Sequence, residues 1–594
     1  MSYVAAQRGD DKKRRRCGGY GVSCLGLLLL IAGSRGADAQ EIERQIPGHS
    51  PQEVEGDAIP FDPSIYESVP KVDSSASHFV PVPDRWGQFY KGRWYDPYNQ
   101  NRWKGDLPIF GAPGEEWFVE LSATSDTLLE YHRLPLPVGG ASTNRPGSVN
   151  IFGEGDQSVV AQTVLTSISL IKGDTTFRPP DYEFRFTPVF QLNRVDLQEN
   201  GATRVDPTRG SGREDSHLGV QELFADVHLA NLSERYDFVS VRAGIQKFST
   251  DFRGFVYSDE EPGIRFFGNY DNNKIQYNLA FFNRLDKDTN TGLNTFTNRY
   301  EQVVIGNIYL QDLLALGHTV QFNVIHRADF AGDRGYHYNN NGFLIRPASI
   351  GDLQPKNIST TYLGITGDGH VGRINTTTAA YFVTGSESHN AIAQRGTDVA
   401  AGMFAQEVSY DIDWVRLRAS FLWASGDHNP TDSRATGFDA IFDNPNFAGG
   451  DLSFWQRQGI PFIGGGAVNL VNRNSLLPNL RPGKEEGQSN FVNPGVRLYN
   501  AGVDFDLTPK LKLVNNLSFL QFDATETINL LRHDGSFSNA IGYDLSSGFL
   551  YRPFLNNNVQ IRAGAATLLV DKGFENLFGK DPLYHVFSNV IFQF

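Results

Sequence analysis

Charged residues recur at every second position in several segments of this chain. Three pairs carry one sign each: Arg416 with Arg418, Asp504 with Asp506, and Lys510 with Lys512. Because side chains alternate between the two faces of a β-strand, each pair projects from one face of its strand. Fixed charges arranged in this way act on ions and polar solutes through their field, without proton transfer or covalent chemistry.

Further charged residues lie on the polar faces of predicted strands: Glu222, Asp226, Arg242 and Arg562. Together with the three pairs they form the predicted charged lining of an internal surface, in which the signs are mixed. A cluster of the four basic residues from 416 to 512 would attract anions such as carboxylated sugars, although the chain carries a net charge of -14. Lys510 and Lys512 are close to a predicted turn, so they could instead face headgroups or water.

Residues that could serve in catalysis or in thiol chemistry lack the arrangement that such chemistry needs. His326, His585 and Ser588 could belong to a hydrolase, but no nucleophile-elbow pattern places a serine, and we expect no enzyme. Both cysteines, Cys17 and Cys24, lie in the N-terminal segment, so thiol-ligated metals and disulfides are not expected. We expect no cofactor.

Four acids of the long predicted loop keep a calcium site as an alternative: Asp427, Asp432, Asp439 and Asp443. Their carboxylates could bind Ca²⁺, which prefers hard oxygen ligands. The spacing is not that of an EF-hand, and acids in loops also serve as solvated side chains or turn caps.

The charged pairs must be positioned by strands, because apolar residues alternate with them. Val415, Leu417 and Ala419 interleave with Arg416 and Arg418, for example. Alternation and turn residues predict eighteen strands, at about 117–131, 159–171, 181–197, 217–230, 236–248, 263–270, 274–285, 301–312, 318–330, 357–369, 372–385, 396–411, 414–426, 495–507, 510–525, 540–552, 557–571 and 583–594.

Short and long connections alternate between these strands along the chain, and the longest is about 427–494. This alternation predicts an all-β, antiparallel, up-and-down transmembrane barrel of about 18 strands, with 16 as the alternative. Short turns would lie on the periplasmic side and long loops outside. A closed barrel satisfies every backbone group in hydrocarbon, and one of this size leaves room for an aqueous channel. The aromatic residues of segment 427–494 predict that it folds over or into the barrel.

The N-terminal region has two predicted parts. Residues 1–39 resemble a secretory signal peptide, with basic residues at 12–16, an apolar stretch at 25–32 and Ala37-Asp38-Ala39 before the cleavage position. Residues 40–116 form a periplasmic leader or a segment associated with the lumen, and 117–594 form the barrel. The acidic composition, without basic blocks, argues against nucleic acid as a partner.

The last strand, LYHVFSNVIFQF, ends in an apolar and aromatic face. It resembles the closing strand of bacterial outer-membrane barrels, in which Phe592 and Phe594 would act as the signal read by the barrel-insertion machinery. Ala424-Ser425-Gly426-Asp427 and Thr508-Pro509-Lys510-Leu511 further resemble the alginate-export type of outer-membrane porin, an 18-stranded family. Those porins have a strongly basic lumen, whereas acids accompany the bases here. The resemblance therefore implies the barrel and a channel role, and it does not identify the substrate.

We therefore expect a porin in the outer membrane of a Gram-negative bacterium. It would pass polar or charged solutes, anionic sugars among them, by passive or facilitated diffusion, and would contact outer-membrane lipid and lipopolysaccharide. The alternatives are a surface-exposed adhesin barrel and a gated transporter of hydrophobic solutes. The oligomeric state is left open.

Overall fold

The structure is a computed structural model, and it describes residues 102–112, 115–136, 153–173, 179–235, 237–460, 462, 474–532, 535 and 537–594. The predicted signal peptide and the leader up to residue 101 lie outside these residues. Among the described residues, no helix is long and apolar enough to cross a membrane.

Eighteen long strands and three short helices form the described part of the chain. The strands are β1 Trp117–Arg133, β2 Asp156–Lys172, β3 Tyr182–Leu197, β4 Arg213–Asn231, β5 Phe238–Ser249, β6 Ser258–Tyr270, β7 Ile275–Lys287, β8 Asn294–Gln311, β9 His318–Asp329, β10 Ile358–Val371, β11 Ile374–Asn390, β12 Arg395–Ile412, β13 Val415–Ala424, β14 Val496–Thr508, β15 Leu511–Gln521, β16 Ala540–Tyr551, β17 Val559–Val570 and β18 Leu583–Gln593. The helices are α1 Phe454–Gln458, α2 Glu526–Arg532 and α3 Lys572–Phe578.

Each of these strands pairs antiparallel with its neighbours in sequence, and β1 pairs with β18 from Thr124↔Gln593 to Arg133↔Tyr584. The sheet is therefore a closed barrel. The predicted all-β antiparallel barrel of about 18 strands is confirmed, and every predicted strand corresponds to one of them. Short turns gather at one rim, where 372–373, 413–414 and 509–510 connect strands.

Three connections at the opposite rim are shorter than the sequence predicts. The chain turns within residues 250–257, 288–293 and 391–394, because β5 to β8, β11 and β12 extend beyond their apolar segments. Backbone pairing needs no apolar side chain, so polar residues such as those at the end of β11 continue the ladder. Alternation of hydrophobicity therefore underestimates strand length at this rim.

The outer and inner faces of the wall differ as lipid and water require. On β3 the outward Phe184, Phe186 and Phe190 are 40–44% exposed, whereas the inward Glu183 and Gln191 are buried. Aromatic rings also form a row across the outside of β12 to β16, with centroid distances of 4.9–6.4 Å: Phe404, Phe421, Tyr499, Phe519 and Tyr543. Apolar outer faces flanked by aromatic residues are typical of transmembrane barrels.

The half of the β5–β6 hairpin that is next to its turn leaves the barrel wall. These two strands pair with each other up to Ser249↔Ser258, but β5 pairs with β4 only up to Ile245, and β6 pairs with β7 only from Gly263. Residues 246–261 are therefore free of the wall and fold inward. Asn294 of β8 bridges the gap that they leave, since its Nδ2 donates to the carbonyls of Val220 at 3.1 Å and Glu260 at 2.8 Å.

The long loop 425–495 meets this hairpin inside the barrel. The amides of Ile441 and Phe442 donate to the Val256 carbonyl at 3.1 and 3.0 Å, and Ser258 N donates to Phe442 O at 2.9 Å. Five aromatic side chains of the loop are at most 4% exposed: Phe438, Phe442, Phe447, Phe454 and Trp455. The lumen is thus narrowed by a packed apolar core that the loop shares with the wall.

A segment of the leader completes the foot of the barrel seam. Phe594 exchanges hydrogen bonds of 2.8 and 3.0 Å with Ala123. From Ala123 toward the start of β1, the edge of that strand pairs with residues 103–110 instead of β18. Gly105 N donates to Val119 O at 2.9 Å, and the Lys104 ammonium lies 4.2 Å from the centroid of the Phe594 ring. These residues of the leader lie at the edge of β1.

Gly244 allows the inward bend, and we predict that it cannot be replaced. Its φ is +126°, and an added Cβ would lie 2.1 Å from the Leu223 carbonyl oxygen. We expect Gly244→Ala to lower the free energy of unfolding by more than about 1 kcal/mol, measured by urea unfolding of the refolded barrel. Gly306→Ala is the control, because no heavy atom lies within 4 Å of its added Cβ. Equal stability of the two variants would contradict this assignment.

Candidate functional site

Three of the predicted lining residues lie on the inner wall of β4 and β5. The Arg242 guanidinium contacts Asp226 Oδ2 at 2.7 Å and Glu183 at 3.5 Å, and its carbon lies 4.1 Å from the centroid of the Phe224 ring. Glu222 accepts a hydrogen bond of 2.9 Å from Thr187. The field of Arg242 is therefore largely cancelled by adjacent acids.

A second group gathers on β13 to β15. Arg418 and Lys512 each lie 3.2 Å from a different carboxylate oxygen of Asp504, which is 4% exposed. The structure thus brings two of the four expected basic residues together, with an acid between them. This pairing weakens the anion-attracting cluster that the sequence predicts.

The other members of the expected cluster lie at the rim of short turns. Arg416 pairs with Asp411 at 2.5 Å and is half-exposed. Lys510 occupies the turn 509–510, and Asp506 is exposed beside it. Because a two-residue turn keeps these side chains at the rim, the structure does not bring Lys510 onto the inner wall.

Arg562 connects the wall to the long loop, and the C-terminal aromatics face outward. The Arg562 guanidinium lies 2.5 Å from Asp451 of the loop. Phe592 and Phe594 are 52% and 44% exposed, and their role as an insertion signal stays a prediction.

A polar cavity that the sequence did not predict lies between the wall of β1 to β3 and the inward hairpin, and we call it the passage. It is a cavity of about 270 Å³, and polar side chains dominate its lining: Asp126, Thr163, Gln191, Gln221, Lys247, Ser258, Glu260, Thr291 and Asn444. Lys247 and Glu260 are cross-strand partners on the hairpin, and Asp126 accepts a 2.8 Å hydrogen bond from Asn589. Within the described residues, the Lys247 ammonium has no ion pair.

Strict alternation of inward and outward residues along β5 does not predict this passage. The sequence predicts that Arg242 faces inward, and strict alternation then assigns Lys247 to the lipid. Once the hairpin leaves the wall, both of its faces lie inside the barrel. The available signal was the presence of charges on both faces of one strand, Asp259 and Glu261 on one and Glu260 on the other, because a charged face cannot contact lipid without a large cost.

The other face of the hairpin belongs to a buried network of ions. Arg284 lies 2.8 Å from Glu301 and 3.2 Å from Asp259, and Lys287 lies 2.7 Å from Asp259. Arg327 contacts the same Glu301 at 2.6 Å, and the side chains of all five residues are fully buried. Such a network holds only while every charge keeps its partner.

The same network fixes the returning part of the long loop. Arg299 donates to the carbonyl oxygens of Glu485 at 2.8 Å and Gly487 at 2.7 Å, and Arg327 donates to Ser489 at 2.6 Å. The loop is thus attached by guanidinium groups on the parts of β8 and β9 at the rim of long loops.

Helix α1 attaches the middle of the loop to the barrel seam. Glu130 of β1 accepts hydrogen bonds from Arg457 at 2.8 Å and Gln458 at 2.7 Å, and the Arg457 guanidinium lies 3.8 Å from the Phe587 ring of β18. Asp544 of β16 accepts from Ser453 Oγ and Trp455 N at the start of the helix. The strands that close the barrel are therefore joined from inside as well.

The described residues form neither the predicted alternative of a hydrolase site nor that of a calcium site. His585 packs against Phe454 and contacts Gln458, and Ser588 projects from the opposite face of β18. Asp439 and Asp443 lie 3.8 and 3.6 Å from Arg481, which neutralises them. In the described part of the chain, no group of three or more His, Cys, Asp or Glu is placed to hold a metal ion.

Burial raises the pKa of several acids in the loops, Asp439 and Glu486 among them. Burial raises the pKa of Asp439 and raises the pKa of Glu486 to about 7, although Thr289 Oγ1 donates to Glu486 at 2.7 Å. The interior therefore favours the protonated Glu486.

Glu486 should make stability depend on pH. Its pKa in the folded barrel, about 7, exceeds the ordinary value of 4.5, so its contribution is complete below about pH 4.5 and is lost as the pH rises through 7. We expect Glu486→Gln to reduce the difference between urea midpoints measured at pH 5 and pH 8. Glu575→Gln, on the exposed side of α3, should leave that difference unchanged. An unaltered difference in Glu486→Gln would contradict the assignment.

Comparisons with known proteins place the chain near solved porins only at low similarity. No family model matches it, and no curated protein matches it. Among solved structures, OccK5 (OpdH) of Pseudomonas aeruginosa has 11% identity over 80% of this chain and 97% of that chain, with a TM-score of 0.39. OccAB3 of Acinetobacter baumannii has 11% identity over 80% and 99%, with 0.44, and a BenF-like porin from Pseudomonas fluorescens Pf-5 has 10% over 80% and 98%, with 0.43.

The resemblance to the alginate-export type is not supported by these comparisons. With scores this low, the architecture rests on the strand pairing described above.

Proposed function

We propose that this protein is an outer-membrane channel of a Gram-negative bacterium, through which small polar solutes diffuse along the passage between β1–β3 and the inward hairpin. The closed sheet supports a membrane location, since its outer face is apolar and its first and last described strands pair with each other. The predicted signal peptide agrees with export to that membrane. The role is that of a channel and not of an enzyme.

The observation that carries the proposal is the polar passage itself. Its lining holds hydroxyl and amide groups, one ammonium and carboxylates of both the wall and the hairpin. Rings of charge in a pore set selectivity through their local field. Arg242 and Arg418 lie outside this lining and are paired with Asp226 and Asp504, so the field within the passage depends mainly on the lining charges Lys247, Glu260 and Asp126.

This balance favours hydroxylated or zwitterionic solutes over strongly anionic sugars. A transporter of hydrophobic solutes would need an apolar passage. An adhesin would present its longest loop outward, whereas the described residues 438–460 and 474–495 of this loop pack inside the barrel. We therefore favour the diffusion channel over both alternatives.

Substitution of the two hairpin charges should shift ion selectivity in opposite directions. We expect Lys247→Gln to move the reversal potential toward cation preference and Glu260→Gln toward anion preference, because each removes one sign from the same cavity. The measurement is single-channel recording in a planar bilayer under a salt gradient.

Lys274→Gln is the matched control, since Lys274 lies exposed near the turn 271–274, beside Asp271 at 3.8 Å. It should leave the reversal potential unchanged. A folded barrel that never conducts, or two hairpin variants that behave like the control, would rule out this passage.

Release of the long loop should widen the channel. In Arg299→Lys the fork that holds the Glu485 and Gly487 carbonyls is lost, while the positive charge beside Glu301 is kept. We expect larger and noisier conductance and faster protease cleavage within 474–495. Arg209→Lys, at an exposed surface pair, is the control. Unchanged conductance and cleavage would indicate that the loop is held by other contacts.

A further inference from the structure

A crevice on the outside of the barrel lies at a step in the wall. β13 ends at Ala424, where it pairs with Met403 of β12 and Val496 of β14. β12 continues to Arg395, and on that side the loop strand Arg434–Ala435 pairs with Asp398 and Val399. The start of the long loop thus leaves a cavity of about 560 Å³ above the end of β13.

We name this cavity the rim crevice and define it by six of its lining residues: Phe382, Gly402, Trp423, Asp427, Asp432 and Arg434. Its floor comes from the outward faces of β11, β12 and β13. Phe382 is 49% exposed and Phe404, just below, is 36% exposed. The floor therefore continues into the apolar wall and the aromatic row, so a membrane molecule can reach the crevice with its acyl chains still on the wall.

The aromatic side of the crevice is held in one orientation. Trp423 Nε1 donates to Asp523 Oδ1 at 3.0 Å. An added Cβ on Gly402 would lie 3.6 Å from the indole ring, so the glycine keeps space beside the ring. A fixed indole next to small residues offers a flat face for the C–H side of a sugar ring.

The polar side offers an acceptor that lacks a donor. Asp427 is 1% exposed, and its Oδ1 accepts from Asn429 N at 2.9 Å. Its Oδ2 has no hydrogen-bond partner among the described residues, although buried carboxylate oxygens are normally bonded. The Arg434 guanidinium has no ion pair or hydrogen bond within the same described ranges, so it can donate to a ligand.

We propose that the rim crevice binds a sugar ring of an outer-leaflet glycolipid, with the ring face on Trp423 and a hydroxyl or amide donor on Asp427. Asp523 is paired with Arg497 at 2.7 Å. The remaining lining acids, Asp427 and Asp432, outnumber Arg434, so a sugar with donor groups suits the crevice better than an isolated phosphate. The acyl chains lie along the wall below. This inference rests on the membrane location of the barrel and is independent of conduction.

The test uses the full mature barrel, refolded in detergent and analysed by native mass spectrometry. The probes are purified lipid A, phosphatidylglycerol with matched acyl chains, and a soluble glucosamine disaccharide. We expect lipid A to be retained by the wild type, and retention to fall at least tenfold in Trp423→Leu and in Asp427→Asn. Trp414→Leu is the matched control, because Trp414 occupies the opposite rim and stacks near Phe505 at 5.7 Å.

Equal retention by all variants, or equal retention of phosphatidylglycerol, would overturn the site. Binding of the soluble disaccharide as tightly as lipid A would overturn its assignment to a membrane lipid. Asp427→Asn keeps the shape of the side chain and so carries the test if Trp423→Leu folds poorly. Conductance of Asp427→Asn should equal that of the wild type, so failure of this proposal is separable from failure of the channel.

Discussion

The whole architecture depends on backbone hydrogen bonding that closes on itself. An unpaired N–H or C=O in hydrocarbon costs several kcal/mol, so a sheet can cross a membrane only when its first and last strands meet. Here β1 and β18 pair over ten positions, from Thr124↔Gln593 to Arg133↔Tyr584. Where β18 ends, residues 103–110 continue the pairing along β1, so the seam has no open edge at its foot.

Closure also explains how the interior can depart from the wall. The β5–β6 hairpin can fold inward because Asn294 supplies the missing bonds to β4 and β6 from its side chain. The hairpin and the long loop then pack against each other through Tyr257 and Phe442. An interior wide enough for a channel is in this way filled in part by an apolar core, with the polar cavity beside it.

Charge inside the barrel serves two separate purposes. The fully buried network around Glu301 holds the loop, and its members are paired so closely that they contribute little field elsewhere. Elsewhere on the inner wall, Arg242 and Arg418 are neutralised by adjacent acids, whereas Lys247 in the lining of the passage has no ion pair among the described residues. Selectivity therefore follows from which charges stay unpaired, and the number of basic residues is a poor guide to it.

The sequence alone determined the class of fold, the positions of the strands and the contrast between the two rims. These features depend on local patterns, since a period of two reports a half-buried strand and turn residues report its end. Only the tertiary structure decided that residues 246–261 leave the wall, that Lys247 faces the lumen, and that Asp226 and Asp504 neutralise the basic residues. The physical reason is that alternation assigns a face but not its surroundings. Those surroundings depend on contacts between distant segments, such as Arg457 with Glu130 and Arg327 with Ser489, for which a local pattern carries no signal.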